Sequence, residues 1–258
     1  MLHHELQGDG PPLLLVHAGV ADLRMWAGVA KRLSSVHRVI VCDLRGFGST
    51  PLAAGRYSDA EDLLSLLDDL GVAETAVGGA SSGAAVALEL AIVAPERVRS
   101  LLLMDAAIGE PFEWSDEVRA FGAAEDAALE AGDIDAAVEL NVRMWLDRAG
   151  RPADAVEPDV RALVETMQRE AFAAQLGVDA EPQALDPPLA ERLGEVRAPA
   201  LVLVGEHDVP DFRRIAERLV AELPAARPLV VVPGAAHLPA LERPGAVSAL
   251  ALEFLAET

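Results

Sequence analysis

The sequence predicts an α/β protein built on a mostly parallel, doubly wound sheet, and three observations carry that expectation. Short apolar runs, Leu13 to Val16, Arg38 to Cys42, Thr75 to Gly78, Ser100 to Met104, Ala200 to Val204 and Leu229 to Val232, alternate with amphipathic helical stretches. That alternation is what strands buried beneath crossover helices on both faces produce. The segment Gly78-Gly79-Ala80-Ser81-Ser82-Gly83 joins one apolar run to the alanine-rich stretch Ala84 to Ala94, so a serine stands at a strand-to-helix turn. Between roughly residues 109 and 197 the strand pattern stops and helical stretches follow one another.

Taken in order, the elements are these. Only Leu2 to Gln7 precedes the first long apolar run, which leaves room for one short strand. The run Val39-Ile40-Val41 ends at Cys42, and that place at the end of an apolar strand reads as a buried structural thiol. As the single cysteine it can form no intrachain disulfide, which agrees with a reducing compartment. The interrupted region predicts helices over Asp116 to Ala131, Ile134 to Asp147 and Pro158 to Leu176, then a loop from Gly177 to Pro188 rich in Pro, Asp and Ala. Within it Phe121, Met144, Trp145, Met167 and Phe172 fall at helical spacing, which suits both an apolar ceiling over a site and plain packing onto the core.

Composition narrows the function classes. With 52% hydrophobic residues the chain can bury a large core, yet no apolar run approaches the roughly 18 residues that suggest a membrane span. Twenty-one basic against 42 acidic residues give a net charge of −21, which argues against nucleic acid or an anionic membrane as partner. The chain opens without a charged, then apolar, then small-residue leader, so a soluble cytoplasmic protein is expected. No Cys/His cluster, Gly-x-Gly-x-x-Gly loop or Gly-Lys-Ser/Thr loop occurs, so neither a metal nor a cofactor is expected. His3, His4 and His37 read as surface positions.

Three residues at the ends of three apolar runs form a constellation. Ser81 centres a Gly-x-Ser-x-Gly pentapeptide, Asp208 closes Gly205-Glu206-His207-Asp208, and His237 closes Pro233-Gly234-Ala235-Ala236-His237. A serine hydroxyl is a poor nucleophile at neutral pH and needs a base within hydrogen-bond reach, itself held by a carboxylate. Ser81, His237 and Asp208 could supply those parts in chain order. Ser82 is the rival serine, but the glycine frame centres on Ser81. Asp105, after the run Leu101 to Met104, is the rival acid.

Further motifs carry a resemblance. Leu13-Leu14-Leu15-Val16-His17-Ala18-Gly19 followed by Trp26, the segment Asp43-Leu44-Arg45-Gly46-Phe47-Gly48-Ser49, Pro95-Glu96-Arg97-Val98, and His237 with Glu242-Arg243-Pro244 behind it resemble the α/β-hydrolase-fold enzymes over nearly the whole chain. The resemblance implies a sheet of about seven strands, a first strand missing relative to the family, a core formed by residues 1–108 and 198–258, and a helical cap over 109–197. It implies an oxyanion hole made by the backbone amide of Ser82 and that of Gly19, with Val20 as the alternative, and a substrate pocket touched by Val20, Met144 and Trp145. His17 is then a buried residue under the oxyanion loop. The implied activity is cleavage of a small-molecule ester or lactone through an acyl-enzyme, by a monomer or homodimer. C–C hydrolysis, thioester cleavage, perhydrolysis, cyanohydrin lysis and a non-catalytic small-molecule receptor are the alternatives. Serine at position 81 speaks against the family's epoxide hydrolases and haloalkane dehalogenases, which use aspartate there. Two departures, Ala18 where the family has glycine and Ala80 where it often has histidine, lie beside the implied oxyanion site.

Overall fold

Leu14, Val16, Ile40 and Cys42 belong to one hydrophobic core, and Leu13, Leu15, Val39 and Val41 to the other, as the two-residue period of a strand requires when both faces are covered. The computed structural model describes residues 1–148, 151, 152 and 154–258. Its main sheet contains β1 (His4–Gln7), β2 (Pro12–Val16), β3 (Arg38–Cys42), β5 (Thr75–Ala80), β6 (Val98–Met104), β8 (Ala200–Gly205) and β9 (Val230–Val232). These lie in the order β1-β3-β2-β5-β6-β8-β9. Only β1 runs antiparallel to its neighbour; every other pairing is parallel.

Helices cover both faces. α1 (Ala27–Leu33) and α9 (Pro244–Leu255) place Val29, Leu33, Val247, Ala251 and Phe254 in the core that holds Leu13 and Leu15. α2 (Asp59–Asp69), α3 (Ser82–Val93) and α7 (Pro210–Glu222) pack into the core that holds Leu14 and Val16. α7 shows why: Phe212, Ile215, Ala216 and Leu219 recur at i, i+3, i+4 and i+7 and are all buried, while its arginines and glutamates stay outside. The short α8 (Pro239–Glu242) lies between β9 and α9.

The interrupted region holds α4 (Asp116–Glu130), α5 (Ile134–Val142) and α6 (Pro158–Gln175). Residues 149, 150 and 153 of that region lie outside those described. Two features differ from the sequence reading. The helix expected to run to Asp147 ends at Val142 and widens into a π-turn over Arg143–Asp147, the kind of bulge that re-aims a side chain. The loop expected over Gly177 to Pro188 contains β7 (Ala180–Pro182), which pairs in parallel with β4 (Gly55–Tyr57) as a separate two-stranded sheet. Three-residue strands containing Gly and Pro leave no periodic trace in a sequence.

One histidine departs from the surface reading: His37 is buried, with Nδ1 3.3 Å from the carbonyl of Pro11. His3 is exposed, as read, and directs Nδ1 to Asp43 Oδ2 at 2.8 Å. Cys42 is buried, and its thiol is pushed well above the ordinary range first by burial and then by the carboxylates of Asp43 and Asp59. Among the described residues no helix is long and apolar enough to cross a membrane.

Candidate active site

The carboxyl ends of β5, β6, β8 and β9, four neighbouring strands, deliver Ser81, Asp105, Asp208 and His237 to one edge of the sheet. That edge is where open parallel sheets place their binding sites.

Ser81 joins β5 to α3 with φ 51° and ψ −118°, a left-handed backbone that a residue with a Cβ avoids. The turn is held on both sides. Ser81 N–H donates to Met104 O at 2.9 Å, and Ser81 O accepts from Ala84 and Ala107 at 3.0 and 3.1 Å. Both glycines of the pentapeptide are required by close backbone approach. A Cβ at Gly79 would stand 2.3 Å from Gly83 O, and one at Gly83 would stand 2.3 Å from His17 O.

His237 and Asp208 meet through Nδ1 and Oδ2 at 2.8 Å, with side chains only 2% and 1% exposed. Asp208 Oδ1 accepts from Val209 N–H at 2.7 Å, so the carboxylate is fixed at both oxygens. An imidazole that donates from Nδ1 presents Nε2 as an acceptor. The ring lies between Trp145 and Phe212, with centroid distances of 4.7 and 4.3 Å. Its backbone N–H donates to Trp145 O at 3.1 Å. Among the described residues no hydrogen bond joins the Ser81 hydroxyl to His237.

The loop after β2 turns tightly, Ala21 N–H donating to Ala18 O at 3.0 Å, which leaves the amides of Gly19 and Val20 without an acceptor among the described residues. The amide of Ser82 is in the same position because it opens α3 and has no preceding turn to donate into. Gly19 abuts Ser82: a Cβ there would sit 3.2 Å from Ser82 Oγ. Ala18 and Ala80, the two departures, are both buried, with their methyl groups in the core.

Two buried polar side chains position this loop. Fully buried His17 contacts Ala18 O through Nδ1 at 2.9 Å and accepts from Leu44 N–H at Nε2, also at 2.9 Å. Burial holds its pKa below the ordinary histidine value, against the opposing pull of the Ala18 carbonyl and of Asp43 and Asp22. Asp43 accepts from Leu23 N–H and Ser49 N–H, both at 2.9 Å. The glycine at position 48 belongs to this arrangement: φ is 49°, and a Cβ would stand 2.3 Å from Asp43 Oδ2.

The remaining sequence candidates are spread out. Trp145 is pinned by its Nε1–H to Asn141 Oδ1 at 3.0 Å and stacks edge-on with Phe121 at 5.1 Å. Met144 instead faces a cavity of about 560 Å³ shared with Phe121, Leu140 and Arg143, which neither Ser81 nor His237 lines. Val20 is half-buried on the Ala18–Ala21 turn. The rival acid Asp105 lies close to the Asp208–His237 pair and does not replace Asp208 in it: oxygens of the two aspartates and a ring nitrogen of His237 fall within 4.8 Å of one another.

Sequence reasoning missed Glu242 as a functional neighbour. Its Oε1 accepts from Ala236 N–H at 2.9 Å and Leu238 N–H at 3.3 Å, on either side of His237. The Glu242-Arg243-Pro244 motif carried the signal. Glu206 Oε2 accepts from Gly234 N–H at 2.8 Å, on the loop that leads to His237.

Comparison with known proteins places this geometry. The family model described as alpha/beta hydrolase fold matches residues 11–244. Over 254 residues the chain is 27% identical to a pimeloyl (acyl-carrier protein) methyl ester esterase of Nitrosomonas europaea, covering 94% of this chain and 95% of that protein. Among solved structures, a thermophilic esterase from Thermogutta terrifontis superposes with a TM-score of 0.79 at 29% identity, over 99% of this chain and 93% of the other. The enol-lactonase from Burkholderia xenovorans LB400 gives 0.79 at 25% identity, over 99% and 96%. Curated relatives of higher local identity are matched over only 30%, 37% and 40% of their own lengths.

Proposed function

The chain belongs to the alpha/beta hydrolase fold family, and from that premise we propose that it is a serine hydrolase that cleaves a small ester or lactone through an acyl-enzyme. Ser81 is the nucleophile, His237 the base and Asp208 the acid that orients it. One observation carries this reading: the buried 2.8 Å contact between Asp208 and Nδ1 of His237. It fixes the tautomer that leaves Nε2 free to accept a proton, beside a strand end whose strained turn lifts a serine clear of the sheet.

In the first step Nε2 of His237 takes the Ser81 Oγ proton while Oγ bonds to the carbonyl carbon. The carbonyl oxygen becomes an oxyanion held by the amides of Gly19 and Ser82, with Val20 the alternative donor. Collapse breaks the C–O bond, and the alcohol leaves with the proton from Nε2. Water, deprotonated by the same nitrogen, then releases the acid and restores Ser81. Attack needs Oγ within about 3 Å of Nε2.

Residues 109–197 serve as the cap on this reading, with Val20 and Trp145 bordering the substrate, while Met144 faces the separate cavity. The ester and lactone class is supported by the esterase and enol-lactonase neighbours. The enzyme works in the cytoplasm as a monomer or homodimer. A fluorophosphonate probe tests the reading: it should label the protein covalently and fail to label Ser81→Ala. Absence of labelling in the unaltered protein would dismiss it. A panel of p-nitrophenyl esters and lactones then ranks substrates.

A further inference from the structure

Asp105 plays no part in the steps above, yet it is fully buried beside them. It follows β6 with φ 45°, a second strained position for a residue with a Cβ, and strain of that kind persists where the surroundings hold a side chain in place. Its Oδ1 accepts from Gly205 N–H at 2.8 Å, whereas Oδ2 has no hydrogen-bond partner among the described residues. A buried carboxylate oxygen without a donor is costly. The charged and titratable groups that face Asp105 are Asp208 after β8, His237 after β9 and Glu242 on α8. Three of the four groups in this cluster are acids, and Arg151, which lies against Glu242, is already paired with it at 2.7 Å.

We propose that Asp105 is protonated and donates its O–H to Asp208, so that the two carboxyl groups share one negative charge and Asp208 is held in the orientation that faces His237. Asp105 is therefore a positioning residue for the reaction proposed above, and this inference rests on that reading. The proton removes both difficulties at once. It gives Oδ2 a partner, and it avoids two like charges in a site closed to water. Burial raises the Asp105 carboxyl well above the carboxylate range, the neighbouring Asp208 carboxylate raises it further, and the Gly205 amide offsets only part of this. Asp208 would then be held by three groups: the Val209 amide, the His237 ring and the Asp105 hydroxyl.

The test compares Asp105→Asn with Asp105→Ala. The asparagine keeps a donor for Asp208 and an acceptor for the Gly205 amide, so kcat/KM and the position of its acid limb should be unchanged. The alanine removes the donor, so kcat should fall by roughly tenfold to a hundredfold, as for a misplaced catalytic group, with KM little altered and the acid limb moved to higher pH. Infrared spectra at pH 7 supply a readout separate from turnover. A protonated-carboxyl C=O band should be present in the unaltered protein and lost in Asp105→Asn. An acid limb that moves down by about one pH unit in Asp105→Asn would mean that a negative charge was removed, and would overturn the proposal. So would an unchanged infrared spectrum. Should Ser81→Ala keep its turnover, the hydrolase reading fails, whereas the infrared result stands or falls on its own.

Discussion

Arg151 and Glu242 meet at 2.7 Å with each side chain only 1% exposed, and the same two residues grip the loop that carries His237. Arg151 Nη2 also donates to Gly234 O at 2.9 Å, while Glu242 receives the amides of Ala236 and Leu238. Removing one partner of a buried pair leaves the other charge without compensation, at about 3–5 kcal/mol, whereas removing both is far cheaper. Glu242→Gln, which keeps an acceptor for the two amides, should therefore lower the melting temperature by roughly 10 °C in a domain of this size. Combining it with Arg151→Met should recover much of that loss. Simple additivity of the two changes in thermal unfolding would show that the pair is not coupled.

Ser81 holds its strained backbone at φ 51°, and a strained non-glycine residue of this type costs on the order of 1–3 kcal/mol. Glycine relieves the strain and loses about 0.5–1 kcal/mol to chain entropy, so Ser81→Gly should melt a few degrees higher than the unaltered protein. Ser81→Ala keeps the Cβ and should melt at the same temperature. On the proposed reading both variants lose ester turnover by about six orders of magnitude. Turnover that survives either change removes the serine from the mechanism.

The parts legible in the sequence are those with a local cause. Gly79 and Gly83 were readable because only a missing Cβ lets β5, α3 and the β2 loop approach so closely. The strand ends at Asp208 and His237 were readable because apolar runs stop there. Arg151 was not: its partner lies 91 residues away, and no period links them. The helical spacing of Trp145 left a ceiling over the site and plain packing equally open; its place against His237 is decided by packing among Phe121, Phe212 and Asn141, which no local pattern records. Asp105 and Asp208 looked like competitors in the sequence, and three dimensions bring both to one imidazole.

A half-buried carboxyl and a buried imidazole predict opposite responses to pH. Burial, and secondarily Asp59, raise Glu89 on α3 from 4.5 to about 7. The unfolded chain releases this proton near 4.5 and the folded one near 7, so the folded state binds more protons across that window and stability falls as pH rises through it. His17 behaves in the opposite sense. Its folded value lies below 6.5, so its contribution is complete above 6.5 and is lost as pH drops. Glu89→Gln should abolish the first slope and leave the second. Urea midpoints should show the variant more stable by about 1 kcal/mol at pH 8, a figure reduced for partial solvent screening, and equal to the unaltered protein at pH 4. An equal offset at both pH values would rule out Glu89 as the source.

Gly205 ends β8, and the loop leading to His237 crosses directly over it. A Cβ there would stand 1.8 Å from Ala236 O, closer than any real contact, and the atom in the way is backbone that cannot rotate aside. Gly205→Ala must therefore push Ala236 outward, and His237 moves with it. The same shift disturbs the Gly205 amide that donates to Asp105. A displacement of about 1 Å at a reacting group lowers turnover by about a hundredfold, so kcat should drop at least that far, with a loss of stability alongside. Gly194 supplies the control, since a Cβ there meets nothing within 4 Å and its φ is not left-handed. Gly194→Ala should leave kcat unchanged and add about 0.4–1 kcal/mol by restricting the unfolded chain. Equal kcat values for the two alanine variants would mean that the His237 loop does not depend on the close approach at Gly205.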